Sequence, residues 1–207
     1  MRFLLTAILF LVNHLMYSHA GPSFVSEGSG FTENLGQWDK DVFFSKDVPN
    51  GKMLFGKHKI GYALSENRFE GHTAKSKYRR HNLIIDFVGA STRNLVGTDA
   101  KKGIKNYFYG NSPSKWVSGV KTFNKLAYNS LYSGIDLEVL NNNGKVKYQF
   151  VVSSGSDPSI IQMNYQGAVK MNVSRSGKLI VMTSVNQIVE NKPFAYQVIN
   201  GEVSEVD

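Results

Sequence analysis

The chain has 207 residues, 24 Lys and Arg against 16 Asp and Glu for a formal net charge of +8, and no cysteine. The missing cysteines exclude a disulfide framework, a thiolate metal site and anchorage through a lipid-modified cysteine, so stability has to come from core burial. A domain of this size buries roughly 70% of its unfolded surface, which makes that feasible.

Met1 and Arg2 precede the almost wholly apolar run Phe3 to Val12, then a polar tract ending Ser18-His19-Ala20 before Gly21. This order of charge, apolar segment and small residues predicts a signal peptide over 1–20. The apolar run is about half the roughly 20 residues a membrane-crossing helix needs. A mature module over 21–207 is therefore expected to be secreted or at the cell surface, with no transmembrane span after cleavage. Export without cysteine leans toward a bacterial exporter.

Beyond the leader, period-two alternation dominates and no stretch of ten or more residues carries helical spacing. Strands are expected at Val42 to Ser45, Lys59 to Leu64, Asn82 to Val88, Lys105 to Tyr109, Val120 to Leu126, Ile160 to Tyr165 and Phe194 to Ile199. Asn50-Gly51 and Asn200-Gly201 mark hairpins between apolar segments. The most decisive hairpin spans Ile135 to Val152, where two alternating runs flank Asn143-Gly144. A two-residue loop there sets Val139 opposite Tyr148, Leu137 opposite Phe150 and Ile135 opposite Val152, all apolar pairs. A second hairpin, Val169 to Thr183, turns at Arg175-Ser176-Gly177 and sets Val173 opposite Leu179 and Met171 opposite Val181. Turn spacing of this kind predicts an all-β, antiparallel β-sandwich of successive hairpins. The turn-rich segment 110–114 is a candidate boundary between two lobes or a loop within one. The chain stops inside what reads as a returning strand at Glu202 to Asp207, and it is expected to be the N-terminal part of a longer protein or a truncated product.

Several of these segments carry a family likeness. Phe31-Thr32-Glu33-Asn34-Leu35-Gly36-Gln37-Trp38 and Asn106-Tyr107-Phe108-Tyr109-Gly110-Asn111-Ser112-Pro113-Ser114-Lys115-Trp116 resemble signatures of an uncharacterised N-terminal domain of bacterial surface and secreted proteins. Leu131 to Leu137, Tyr148 to Val152 with Gly155-Ser156-Asp157-Pro158, and Lys192 to Gln197 continue the match to the C-terminus. Ser133 and Ser154 depart from the pattern, standing where proline is expected. The resemblance implies an opening module of proteins that often continue into SBBP-type β-propeller, PKD or immunoglobulin-like repeats. Many end in the sorting domain of type IX secretion and gliding motility. It implies no established activity.

Candidate chemistry is sparse. Asp136 and Glu138 share one strand face, an arrangement that fits either a catalytic carboxylate pair or a solvated sheet face. His58, His72 and His81 lack metal-ligand spacing, and Asp157 lacks the repeating acidic loop of a calcium motif. No Gly-x-Ser-x-Gly elbow or phosphate-cradling glycine loop occurs. Lys75, Lys77, Arg79 and Arg80 form a basic patch that either meets an anionic partner or is a solvated loop beside the strand Leu83 to Val88. Trp116, Tyr109 and Lys115 are the candidate ligand-binding residues, as a ring-stacking site for sugars, with ordinary packing as the alternative. Trp38 is a weaker candidate of the same kind. The expected function is a non-catalytic structural or interaction module with no catalytic residue, metal or cofactor. The alternatives are a binding module for anionic glycans and, with less weight, a glycoside-active enzyme using Asp136 and Glu138. Expected partners are surface polysaccharide or other domains of a longer parent, and not nucleic acid.

Overall fold

The structure, a computed structural model, describes residues 15–17, 30–69, 76–142, 144–199 and 202–206. In chain order its strands are β1 (Leu15–Tyr17), β2 (Phe31–Glu33), β3 (Phe44–Val48), β4 (Gly51–Phe55), β5 (Lys59–Phe69), β6 (Ser76–Phe87), β7 (Asn94–Ala100), β8 (Lys105–Tyr107) and β9 (Val117–Val120). They continue as β10 (Thr122–Tyr132), β11 (Ile135–Asn142), β12 (Lys145–Val152), β13 (Met163–Gln166), β14 (Lys170–Val173), β15 (Leu179–Met182), β16 (Gln187–Glu190), β17 (Ala195–Ile199) and β18 (Glu202–Val206). Two 3-10 turns, Pro113–Lys115 and Pro158–Ile160, are the helical elements among the described residues, so none is long and apolar enough to cross a membrane. The protein is all-β and antiparallel, as the alternation predicts.

Ten strands form one sheet that curls into a half-barrel, and β10 is where it divides. Phe123 pairs with Phe31 of β2 on one side and Ala100 of β7 on the other, while Lys125 pairs with Leu140 of β11 and Thr98 of β7. With β7 running along one edge, β2 and β11 must share the other, β2 at its start and β11 further on. Two arms therefore diverge from one strand edge: β11-β12, and β2-β3-β4-β5-β6-β13. A bulge between Tyr128 and Tyr132 bends β10 further, with Ser130 at φ +52°. Asp136 Oδ1 accepts the Ser130 N–H at 2.6 Å and so satisfies a donor that the bulge removes from the ladder.

The two arms face each other across the core. Phe87 of β6 meets Tyr128 of β10 and Phe150 of β12 edge-on at 5.9 and 6.4 Å, and Phe31 meets Phe55 at 5.2 Å. Among Met53, Tyr62, Phe87, Val139 and Tyr148 the packing leaves a residual cavity of only about 10 Å³. A small sheet, ordered β1-β16-β15-β14, adds Val181 and Ile188 to the same core. Two ribbons, β8-β9 and β17-β18, complete the fold.

Both expected registers are present: Val139–Tyr148, Leu137–Phe150 and Ile135–Val152 in one hairpin, Val173–Leu179 and Met171–Val181 in the other. The hairpin expected at Asn50-Gly51 is present as well, joining β3 to β4 with Pro49 and Asn50 as its turn residues, Asn50 at φ +59° and Gly51 opening β4. Other expectations need correction. The expected strand Ile160 to Tyr165 begins only at Met163, because Asp157 caps the 3-10 turn by accepting Ser159 N and Oγ, both at 2.8 Å. Residues 76–81 are strand rather than loop, six of the eleven positions over which β6 pairs with β5. β7 and β16 were not expected. Of the expected leader, residues 15–17 form β1 and pair with β16, and the remainder lies outside the described residues. So do Lys75, His72, Asn143, Asn200-Gly201 and Asp207.

Gly51 sits between Val48 and Leu64, and a Cβ on it would run into the carbonyl oxygen of Ala63. A Cβ on Gly61 of the next strand would make ordinary contact with Leu54 at 3.8 Å. Urea unfolding should therefore show Gly51→Ala losing about 2 kcal/mol and Gly61→Ala neutral or stabilised by several tenths. Equal effects would contradict this packing.

Candidate functional site

The first two residues of β10 lead, on both edges, into one end of the molecule. Thr32 and Glu33 follow along one side, and Glu33 Oε1 accepts the Lys121 N–H at 2.7 Å. The loop after β2 is then held by Asn34. Its Nδ2 donates to the carbonyls of Val42 and Asp39 at 2.6 and 2.8 Å, and its Oδ1 accepts from Gly36 N and Trp38 N at 3.0 and 3.1 Å. A side-chain amide supplies two donors and two acceptor lone pairs, so one residue here replaces the ladder that an irregular loop lacks. Gln37 adds a bond to the Glu33 carbonyl at 2.6 Å. The segment Phe31 to Trp38 is thus a scaffold that presents Trp38.

From the other edge, β7 passes into the β8-β9 ribbon, whose tip is the segment 108–116, exposed throughout. Trp116 follows the Pro113–Lys115 turn, donates Nε1–H to the Gly110 carbonyl at 3.2 Å, and sets its ring edge-on to Phe108 at 5.3 Å. Tyr109 lies beside Tyr107 at 5.9 Å, and Tyr107 meets Trp38 at 5.6 Å. Phe108, Tyr109 and Trp116 remain 60%, 52% and 43% exposed. Lysines flank these rings: Lys115 is exposed on the turn, and Lys52 Nζ lies 5.4 Å over the Trp38 ring. Lys105 Nζ donates to Thr32 Oγ1 at 3.1 Å. The rings thus form two groups, Trp116 with Phe108 and Trp38 with Tyr107 and Tyr109, with Lys52 over Trp38 and Lys115 exposed on the turn before Trp116.

Beside this surface, Lys46 occupies a core-facing position of β3 between Phe44 and Val48 and is 1% exposed, with Nζ 5.8 Å from the Phe31 ring. Burial, with repulsion from Lys101 and Lys105 next, lowers its pKa to about 8 against a partial opposing pull from Asp47. Burial also lowers that of Lys105.

The remaining candidates lie elsewhere. Glu138 binds Lys125 Nζ at 2.5 Å and Gln149 Nε2 at 2.7 Å, and Asp136 holds the bulge, so both carboxylates tie β10, β11 and β12 together. Arg79 and Arg80 are exposed on β6, Arg79 opposite Glu66 with the charges 3.8 Å apart; the Lys77 side chain is outside the described residues. His81 uses both ring nitrogens, Nε2 to the Gly167 carbonyl at 2.7 Å and Nδ1 to Ser184 Oγ at 3.1 Å. No group of three ligating side chains is placed to hold a metal ion among the described residues.

One cluster escaped the sequence. Glu190 of β16 is 3% exposed and accepts hydrogen bonds from Tyr148 Oη at 3.1 Å and Tyr165 Oη at 2.9 Å. Burial raises the pKa of both tyrosines, with the Glu190 charge next among the causes. They stay protonated as donors. Two steps along β16 from the buried Ile188, Glu190 faces inward by simple alternation, and that was the available signal.

Fold and surface together define an all-β antiparallel domain with an aromatic and basic end. The chain belongs to the DUF7948 family, a domain of unknown function, which matches it over residues 31–207. No curated protein and no solved structure matches it.

Two outcomes follow. Replacing Asn34 by Ala should cost about 2–3 kcal/mol and shift tryptophan emission as Trp38 leaves Tyr107; unchanged emission would show that another group holds the loop. For pH, Lys46 binds its proton less tightly folded than unfolded, so stability should rise between roughly pH 8 and 10. The buried tyrosines have the opposite sign: their folded pKa values lie above the unfolded value, so stability should fall above roughly pH 10. Urea midpoints for Lys46→Met should lose most of the rise and keep the fall.

Proposed function

We propose that the domain is a non-catalytic interaction module of an exported bacterial surface or secreted protein, and that the aromatic end is its contact surface. The observation that carries the reading is the meeting of the half-buried Trp38 and Tyr107, which brings two signature segments nearly seventy residues apart together at the foot of the exposed tip with Phe108, Tyr109 and Trp116. Exposed rings gathered in this way favour a partner over solvent. The leader over 1–20 supports export. The family likeness supports a place at the head of longer proteins that carry SBBP-type, PKD or immunoglobulin-like repeats and a type IX sorting domain.

A second reading, an anionic glycan as the partner, is favoured by the lysines around the rings. Lys52 lies over the Trp38 ring, Lys115 precedes Trp116 on the exposed turn and Lys105 is bonded to Thr32, an arrangement that suits sugar rings carrying carboxylates or sulfates. Alginate and polygalacturonate should bind the purified protein and weaken with added salt, neutral dextran should not, and Trp116→Ala should lose about tenfold. Binding that ignores Trp116→Ala and Tyr109→Ala, or that treats dextran like alginate, would refute the glycan reading.

A further inference from the structure

We propose that the domain joins copies of itself head to tail, the acidic outer edge of β18 in one copy adding as a strand to the basic outer edge of β14 in the next. The contact shares no residue with the aromatic end and does not depend on that reading.

Both edges are free. Among the described residues β14 ends the small sheet and pairs with β15 alone, and β18 pairs with β17 alone. Ser174 N–H donates to the Lys178 carbonyl at 2.8 Å. By the alternation of an antiparallel pair, Asn172 and Lys170 then also bond inward, and the N–H and C=O groups of Met171 and Val173 face away from β15. All four residues of β14 are exposed, as are Glu202 to Glu205 of β18, and Val173 and Val203 stand 68% and 70% exposed. An exposed edge of this kind is a template for another strand, and a two-stranded ribbon such as β17-β18 is marginal in water until a third strand or a packed face completes it.

Charge decides which edge meets which. Lys170 lies on β14, Lys178 stands across from Ser174, Arg175 is exposed on the turn between them, and the Lys192 side chain lies across Gly177 of that turn. β18 carries Glu202 and Glu205. None of these side chains takes part in an ion pair among the described residues. Two β14 edges brought together set lysine against lysine, and two β18 edges set glutamate against glutamate. Like charges on neighbouring strands repel, so the mixed pair is the one favoured. Alternation fits it as well: with Val203 beside Met171 and Val173 on one face, Glu202 falls on the other face with Lys170 and Lys178. The two edges are different surfaces of one chain, so each copy keeps one edge free for the next, and growth continues into a ring or an open series of more than two.

The test is analytical ultracentrifugation of the purified full chain at low salt, from about 5 μM to about 1 mM. Average mass should climb with concentration past that of two chains, and raising salt from about 50 to about 500 mM should weaken the association about tenfold. Val173→Glu on β14 and Val203→Glu on β18, both at exposed positions, should each remain a single chain. An equal mixture of the two should form a two-chain species and stop there, because one intact edge of each kind remains. The proposal is overturned by a single chain at every concentration, by a mass that levels off at two chains, by association that ignores salt, by association that survives either substitution, or by variants that stay single when mixed. The unaltered chain decides the matter by its concentration and salt dependence even if a variant fails to fold.

Discussion

One edge of β10 serves two partners, and the rest of the molecule follows from that division. A strand of eleven residues offers one continuous row of donors and acceptors; here the row is given first to β2 and then to β11. Strands that share an edge end to end cannot stay coplanar as the sheet twists, so the arms that continue from them turn toward each other. Curling closes the apolar faces on a common core without a second large sheet, and the small β14–β16 sheet covers the side left open.

The same division explains the aromatic end. β2 and β7 flank the start of β10, so the loop after one and the ribbon after the other emerge side by side. Asn34 and Gln37 turn the first into a rigid support for Trp38, and the Trp116 indole bond to Gly110 closes the second. The supports consume local polar groups, and the rings beside them meet one another and, at Trp38, the Lys52 ammonium. Lys46, tucked under Phe31 close to Lys101 and Lys105, puts a cost in stability near this surface rather than in the middle of the core.

Local chemistry was legible in the sequence, and long-range adjacency was not. Ile135 to Val152 and Val169 to Thr183 carried their registers openly, because alternation and turn residues pointed to the same pairings. Trp116, Tyr109 and Lys115 flank one turn and could be named together from the sequence, with Trp38 as a weaker candidate, but the contact of Trp38 with Tyr107 depends on pairings through β10 that the sequence does not show. β7 was missed for a related reason: Asn94 to Ala100 is mostly exposed, with weak alternation, and is a strand chiefly because β10 has a free edge. Lys46 and Glu190 are instructive in another way. Each occupies an inward position in a period-two run, beside Phe44 and Val48 or beside Ile188, and a charge at such a position is a sequence signal of a buried cluster. Only the fold shows what surrounds it, Tyr148 and Tyr165 from separate strands in the case of Glu190.

The divided edge is most directly tested by a nuclear Overhauser spectrum of the folded protein. The account predicts backbone cross-peaks from Phe123 to both Phe31 and Ala100, from Lys125 to both Leu140 and Thr98, and ring cross-peaks between Trp38 and Tyr107. A spectrum in which β11 runs the whole length of that edge, with Phe31 far from Phe123 and no Trp38–Tyr107 contact, would contradict it.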